Sequence, residues 1–139
     1  MEYKEIFLDT NVLLDIVTNR YPFSASAIEI FDFCQKENIK MHATSHSIAT
    51  LHYLAKKMVE EKELRSIIED LLDTISIIAV TETILKKSLK SNHKDFEDAI
   101  QIVSAQSIND MNCIVTRDLK DFKNAEIKVY TPDQFLNTI

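Results

Sequence analysis

The sequence predicts a three-layer αβα sandwich, a central parallel sheet with helices on both faces. Three observations carry that reading. Short apolar runs alternate along the chain with longer segments whose apolar residues recur at helical spacing. The short runs are continuous rather than alternating, as strands buried on both faces are. At 139 residues, with 45% hydrophobic and 27% charged residues, the chain suits a single domain over 1–139. A domain of that size buries about 68–70% of the surface its unfolded chain exposes, enough for a proper core.

The elements follow in order. Glu5-Ile6-Phe7-Leu8 is an apolar run ending in Asp9-Thr10-Asn11, a buried strand. Val12, Leu13, Leu14 and Ile16 supply the apolar side of a first helix. Pro22 can open a second, in which Ala27, Ile28, Phe31 and Cys34 keep a helical stripe. Ile39 to Ala43 is a weak strand, and Ile48, Leu51, Ala55 and Met58 mark another helix. Leu64, Ile67, Ile68, Leu71 and Leu72 give the cleanest helical stripe in the chain. A strongly apolar strand follows over Ile75 to Val80, then helices over Ile84 to Leu89 and Phe96 to Ile108. Cys113-Ile114-Val115 forms a short strand ending at Thr116, Ile127 to Tyr130 a last one, and Pro132 starts a terminal helix.

Glycine is absent. Average usage near 7% would give about ten. Its absence excludes the Walker phosphate loop, the dinucleotide fingerprint, the nucleophile elbow and the EF-hand loop, which need glycine where backbone turns sharply or approaches a ligand closely. Helix ends must use the next-best left-handed residue, asparagine, and Asn19, Asn38, Asn92 and Asn109 stand at expected helix ends.

A net charge of -6 argues against broad electrostatic binding of nucleic acid. The densest basic stretch is Lys86, Lys87, Lys90 and Lys94, with His93 beside it; on charge pattern alone it is a solvated helix face. Cys34 and Cys113, far apart and in apolar surroundings, read as buried free thiols of a reducing compartment. No apolar run approaches the roughly 18 residues that would span a bilayer, and no basic-then-apolar leader opens the chain, so no membrane partner and a cytoplasmic location are expected.

In an open parallel sheet, ligands bind beyond the carboxyl ends of the strands. Two predicted strands finish there on polar clusters, Asp9-Thr10-Asn11 and Thr116-Arg117-Asp118, and Asp95-Phe96-Glu97-Asp98 opens the most apolar helix. Asp9, Asp98 and Asp118 can therefore converge at one edge, with Asp95 and Asp15 nearby. Two carboxylates about 5 Å apart repel by roughly 3 kcal/mol at an effective dielectric near 20. Three mutual pairs would cost roughly 10 kcal/mol, comparable to the stability of a whole domain. Such carboxylates are farther apart, protonated, or gathered round a hard cation, for which oxygen ligands suit Mg²⁺ or Mn²⁺. Taken singly, each residue has a plainer role: Asp9 as a turn former, Asp95 as an N-cap with Asp98 its box-like partner, Asp118 and Asp121 as loop caps. Asp9 and Asp98 together shift the balance, because a charge opening so apolar a helix wants a reason. His42, His46 and His52 have no partners at zinc-site spacing and read as satisfied or exposed, and Ser45 and Ser47 near His46 lack the glycine turn of a nucleophile site. An acidic pocket of phosphatase or receiver type would also suit Asp9, but no phosphate-binding loop accompanies it.

Three segments, in order, resemble the PIN domain family, in particular the VapC-like toxin ribonucleases. Leu8-Asp9-Thr10-Asn11-Val12-Leu13-Leu14-Asp15 is similar to the family's opening motif, Asp95-Phe96-Glu97-Asp98-Ala99-Ile100-Gln101 to the helix carrying its later acidic residue, and Ile114-Val115-Thr116-Arg117-Asp118 with Lys120-Asp121-Phe122 to its closing element. The resemblance runs from Phe7 to about Phe135. It implies a metal-dependent endoribonuclease in which Asp9, Asp98 and Asp118 ligate Mg²⁺ or Mn²⁺, Asn11 and Thr116 orient them, and Asp95 or Asp121 adds a ligand. It also implies a cytoplasmic toxin, often a homodimer, paired with an antitoxin protein, with Arg117, Lys120, Lys90 and Lys94 guiding the RNA backbone locally. One departure stands out. Where the catalytic members carry a glutamate early in the helix after the second strand, this chain has Thr50, and Glu60 and Glu61 come too late to replace it. A non-cleaving binding module that keeps the fold is the competing reading.

Overall fold

Five short parallel strands form one sheet in the order β3 (Ser76–Ile78), β2 (Lys40–Thr44), β1 (Glu5–Leu8), β4 (Cys113–Val115), β5 (Lys128–Tyr130) in the computed structural model, which describes residues 2–139. Six helices connect them, α1 (Thr10–Thr18), α2 (Ser24–Lys36), α3 (Ser45–Ala55), α4 (Glu61–Thr74), α5 (Glu82–Lys90) and α6 (Phe96–Gln106), with a 3₁₀ turn at Leu119–Phe122, and α7 (Pro132–Leu136) follows β5. The three-layer α/β architecture is the expected one.

Strand pleating sorts the central side chains into two cores. Ile6 and Leu8, with Met41, Ala43, Cys113 and Val115 of the flanking strands, face a layer built from α1, α2, α3, α4 and α7. Phe7 and Ile114 point the other way, against Ile84 of α5, Ile100, Ile102 and Ala105 of α6, and Phe122 of the 3₁₀ turn. Phe7, Leu8, Leu13 and Ile102 are fully buried, each contributing about 1.5–3 kcal/mol of burial free energy. Burial on both faces is why these strands read as continuous apolar runs.

The register fixes the site. Leu8 lies beside Val115, so the residues that follow, Asp9 and Thr116, leave the sheet side by side. Chain order runs outward from β1 to β2 on one side and jumps to β4 on the other, which makes the β1–β4 boundary the topological switch point where a crevice opens.

Helix starts follow the expected chemistry. Thr44, Thr81, Asp95 and Thr131 each accept a backbone N–H of the first turn, and at α7 Gln134 returns the bond to complete a capping box. Helix ends depart from it in part. Asn19 and Asn38 take the left-handed conformation, with φ of 49° and 57°, but Asn92 and Asn109 do not. Ser91 leads α5 out in extended conformation, and Ser107 closes α6 by turning its N–H onto the last carbonyls. Neither exit needs a positive φ. Helix α2 begins at Ser24, beyond Pro22, with Phe23 at the N-cap position and no side-chain bond there. The strand expected over Ile75 to Val80 pairs only over Ser76–Ile78. Cys34 and Cys113 are buried free thiols, each pushed up to about 12 by burial, so neither is a nucleophile at neutral pH. Among the described residues no helix is long and apolar enough to cross a membrane.

Candidate metal centre at the carboxyl edge of the sheet

Asp9 sits where β1 ends and caps α1, accepting the Thr10 N–H at 2.8 Å on Oδ1. Its side chain is buried, at 8% exposure, yet among the described residues no cationic side chain bonds it. Instead Thr116 donates its hydroxyl to Oδ2 at 2.7 Å and Gln101 its amide to Oδ1 at 3.1 Å. Burial holds the Asp9 carboxyl above the usual carboxylate range, against these three bonds, which favour the ionised form.

Thr116 and Asn11 join the two motifs physically. Besides bonding Asp9, the Thr116 oxygen accepts the Asp118 N–H at 3.1 Å and the Asn11 amide at 3.3 Å, while Asn11 Oδ1 accepts the Arg117 N–H at 3.2 Å. The closing loop is thereby pinned to the start of α1.

A cleft of about 240 Å³ opens at this edge. Asp9, Asn11, Asp98 and Asp118 line it together with Glu97 of α6 and with His46 and Thr50 of α3. Asp98 stands in the first turn of α6, whose N-cap Asp95 accepts its N–H at 3.0 Å. Its carboxyl is pushed up to about 7, first by desolvation and then by the charges of Asp95, Asp121, Asp9 and Asp118. Asp121 is raised too, chiefly by its hydrogen bond with Asp118. Asp95 and Asp121 do not line the cleft; they act on it from its rim through charge.

Other expected site residues stand elsewhere. Arg117 turns away from the cleft and bonds Asp15 through Nε at 2.6 Å and Nη2 at 3.3 Å, its guanidinium stacked 4.1 Å from the centroid of the Phe23 ring. Asp15 is fully buried by this pair. It belongs to the fold rather than to the acidic cluster near which the sequence put it, and Arg117 spends its charge on Asp15. Lys120 is exposed on the 3₁₀ turn, Lys90 ends α5 and Lys94 lies in the connection to α6; none of the three lines the cleft. Neither does any other Lys or Arg among the described residues.

Three further residues belong to the site in roles that the sequence did not assign them. Gln101 and Ser47 are buried at the back of the site, and His46 is on its wall. His42 and His52 are satisfied by Glu5 and Glu61 as expected, but His46 is neither bonded nor free. Its Nε2 is shielded from solvent without a hydrogen bond, 3.6 Å from Glu97 Oε2. The available signal was the spacing of His46 and Thr50 by one helical turn, which puts both on one face of α3.

The donor set fits a hard divalent cation: carboxylate and amide oxygens, no thiol, and no positive side chain to neutralise Asp9 and Asp98. Among the described residues no three His, Cys, Asp or Glu side chains stand close enough to enclose an ion. An open site of this kind suits Mg²⁺, which keeps several waters and takes one or two carboxylates with substrate phosphate completing the shell.

Residues 5–120 match the PIN domain family model. The chain belongs to the PIN domain family. Along 97% of its length it is 27% identical to ribonuclease VapC1 of Aquifex aeolicus (strain VF5), of which 95% is covered. A toxin–antitoxin complex from Klebsiella pneumoniae contains a chain with 25% identity and a TM-score of 0.68, covering 91% of this PIN chain and 97% of that one. DNA-bound VapBC from Salmonella typhimurium shares the fold at a TM-score of 0.69 and 17% identity, over 94% and 99% of the two chains.

Proposed function

We propose that this PIN domain is the toxin ribonuclease of a toxin–antitoxin pair, an endoribonuclease that hydrolyses RNA phosphodiesters with Mg²⁺ or Mn²⁺ held by Asp9, Asp98 and Asp118. The observation that carries this reading is Asp9 itself: a buried carboxylate held by three neutral donors, facing further carboxylates across a cleft without a Lys or Arg. Such an arrangement is destabilised by its own charge until a cation arrives. The similarity to ribonuclease VapC1 supports the reaction, and the likeness to the Klebsiella toxin–antitoxin chain supports an antitoxin protein as partner.

In the open cleft Asp9, Asp98 and Asp118 would hold the ion partly through its waters, with Asp95 and Asp121 adding negative charge from the rim. When bound, the ion supplies an activated water and neutralises charge on the phosphodiester. Thr116 keeps Asp9 Oδ2 in place, and Asn11 fixes the loop bearing Asp118. The Asp98 carboxyl, raised to about 7 by desolvation and the neighbouring carboxylates, would bind a cation in competition with its proton. Lys120, Lys90 and Lys94 lie outside the cleft, suited to guiding the RNA backbone rather than to chemistry. A cytoplasmic homodimer over 1–139 completes the proposal.

The test is cleavage of RNA by the purified protein with and without a chelator, beside D98N. Cleavage that needs Mg²⁺ or Mn²⁺ and falls at least about 100-fold in D98N is expected, as when a transition-state group worth roughly 3 kcal/mol is lost. Chelator-insensitive cleavage, or full activity in D98N, contradicts it. The second reading, a PIN domain that binds without cleaving, is favoured by one observation: Thr50 brings no charge to the wall of the cleft. Metal-dependent turnover at physiological Mg²⁺ rejects it.

A further inference from the structure

We propose that Gln101 is a positioning residue, which fixes the carboxylate of Asp9 for a divalent cation through a neutral relay anchored on Thr44 and Ser47. The proposal rests on the metal-nuclease reading above and adds to it how α3 serves the site without a carboxylate.

Gln101 is 4% exposed on a helix whose neighbouring Ile100 and Ile102 are buried core. A primary amide there is costly unless bonded. Its bonds run to the site. Nε2 donates to Asp9 Oδ1 at 3.1 Å and to Ser47 Oγ at 2.8 Å, and Oε1 accepts the Thr44 hydroxyl at 2.8 Å. The partners leave little freedom. Thr44 Oγ1 accepts the Ser47 N–H at 2.9 Å, and its single hydrogen has Gln101 Oε1 as the nearer acceptor at 2.8 Å, with Ser47 Oγ at 3.1 Å. Ser47 Oγ accepts from Gln101 and pairs with Thr10 Oγ1 at 2.8 Å, a bond in which either hydroxyl can donate. Reversing the amide would set a carbonyl oxygen against the carboxylate. The relay therefore points a donor at Asp9 and rewards its ionised form, the form that binds metal.

The consequence for Asp9 is a count of acceptor positions. A carboxylate offers about four. Oδ1 uses two, for Thr10 N–H and Gln101, and Oδ2 uses one, for Thr116. One position on Oδ2 remains for an ion. Without Gln101 the carboxylate keeps one bond on each oxygen, from Thr10 and Thr116, and loses the second donor on Oδ1. Helix α3 thus reaches the ion through Ser47, one turn before Thr50, with a dipole in place of a charge.

The experiment is a Mn²⁺ titration of the metal-free full-length protein, free Mn²⁺ being read by electron paramagnetic resonance, on wild type, D9N, Q101L and S47A. Urea unfolding of each is measured in parallel. Loss of an outer partner of a metal ligand typically costs about 10–100-fold in affinity; that loss is expected for Q101L, with a smaller one for S47A, which keeps the amide but frees one of its hydrogens. A purely structural role would lower the urea midpoint and leave the Mn²⁺ affinity of the folded protein unchanged. Folded Q101L binding within about twofold of wild type overturns the proposal. Should Q101L fail to fold, S47A decides by the same comparison. The two readings fail differently: wild type that takes up no Mn²⁺ at millimolar concentration, or D9N that binds like wild type, removes the metal centre altogether. D9N impaired beside Q101L unaffected removes only the role of Gln101.

Discussion

Asp9 and Asp15 are both buried carboxylates, one capping α1 and the other within it, and they are treated in opposite ways. Asp15 is gripped by two nitrogens of Arg117, which is itself stacked on Phe23. Asp9 receives a backbone N–H, a hydroxyl and an amide, all neutral. The first arrangement cancels a charge inside the fold; the second orients a charge and leaves it uncancelled. A buried carboxylate with its own cation is architecture, while one with neutral donors on a cleft is prepared for a cation from outside. That difference, rather than burial or acidity alone, separates site from scaffold here.

The largest effect that would sharpen the contrast is on stability. D15N leaves Arg117 partly buried without its partner, and removing one member of a buried ion pair costs about 3–5 kcal/mol; because Arg117 is 25% exposed on its side chain, the lower end is expected. Urea unfolding measures it, and a loss below about 1 kcal/mol would mean that the pair is not what holds the closing loop. Next in size is T50E, which restores a carboxylate to the α3 wall. It should strengthen Mn²⁺ binding on the order of tenfold, about 1.4 kcal/mol, while lowering the stability of the metal-free protein by adding like charge. Unchanged Mn²⁺ affinity would show that Thr50 does not face the ion.

The smallest effect is the pH dependence. The Asp98 carboxyl lies near 7 in the fold against 3.8 as its ordinary value, so the folded state binds the proton more tightly than the unfolded chain. The associated stability is complete below about pH 4 and lost as pH rises through about 7. Metal-free thermal midpoints should therefore decline over that window in wild type, and decline less in D98N. An equal slope in both proteins would move the repulsion away from Asp98. Added Mn²⁺ should flatten the wild-type decline by competing with the proton.

Much of this was legible along the chain. Continuous apolar runs between helical stripes specify the parallel sheet, and polar clusters at the ends of β1 and β4 specify its working edge, because local pattern and burial coincide there. The relay of Thr44, Ser47 and Gln101 was not, since each residue taken alone is an ordinary cap or helix position and only the register brings them to Asp9. The same limit hid the Asp15–Arg117 pair. Arg117 follows Thr116 in an acidic motif and reads as an RNA contact, yet the turn after β4 swings it onto α1, where a buried carboxylate needs it more. His46 was hidden by its neighbours, since a histidine beside Ser45 and Ser47 carries no signal until α3 is seen lining the cleft.

The most direct test of the difference between the two carboxylates is a Mn²⁺ titration of D9N against D15N, both folded, beside wild type. The expected result is Mn²⁺ affinity lost in D9N by at least about 100-fold, or roughly 2.7 kcal/mol, and retained within a few-fold in D15N. Equal affinities in the two variants, or loss in D15N alone, would contradict the account.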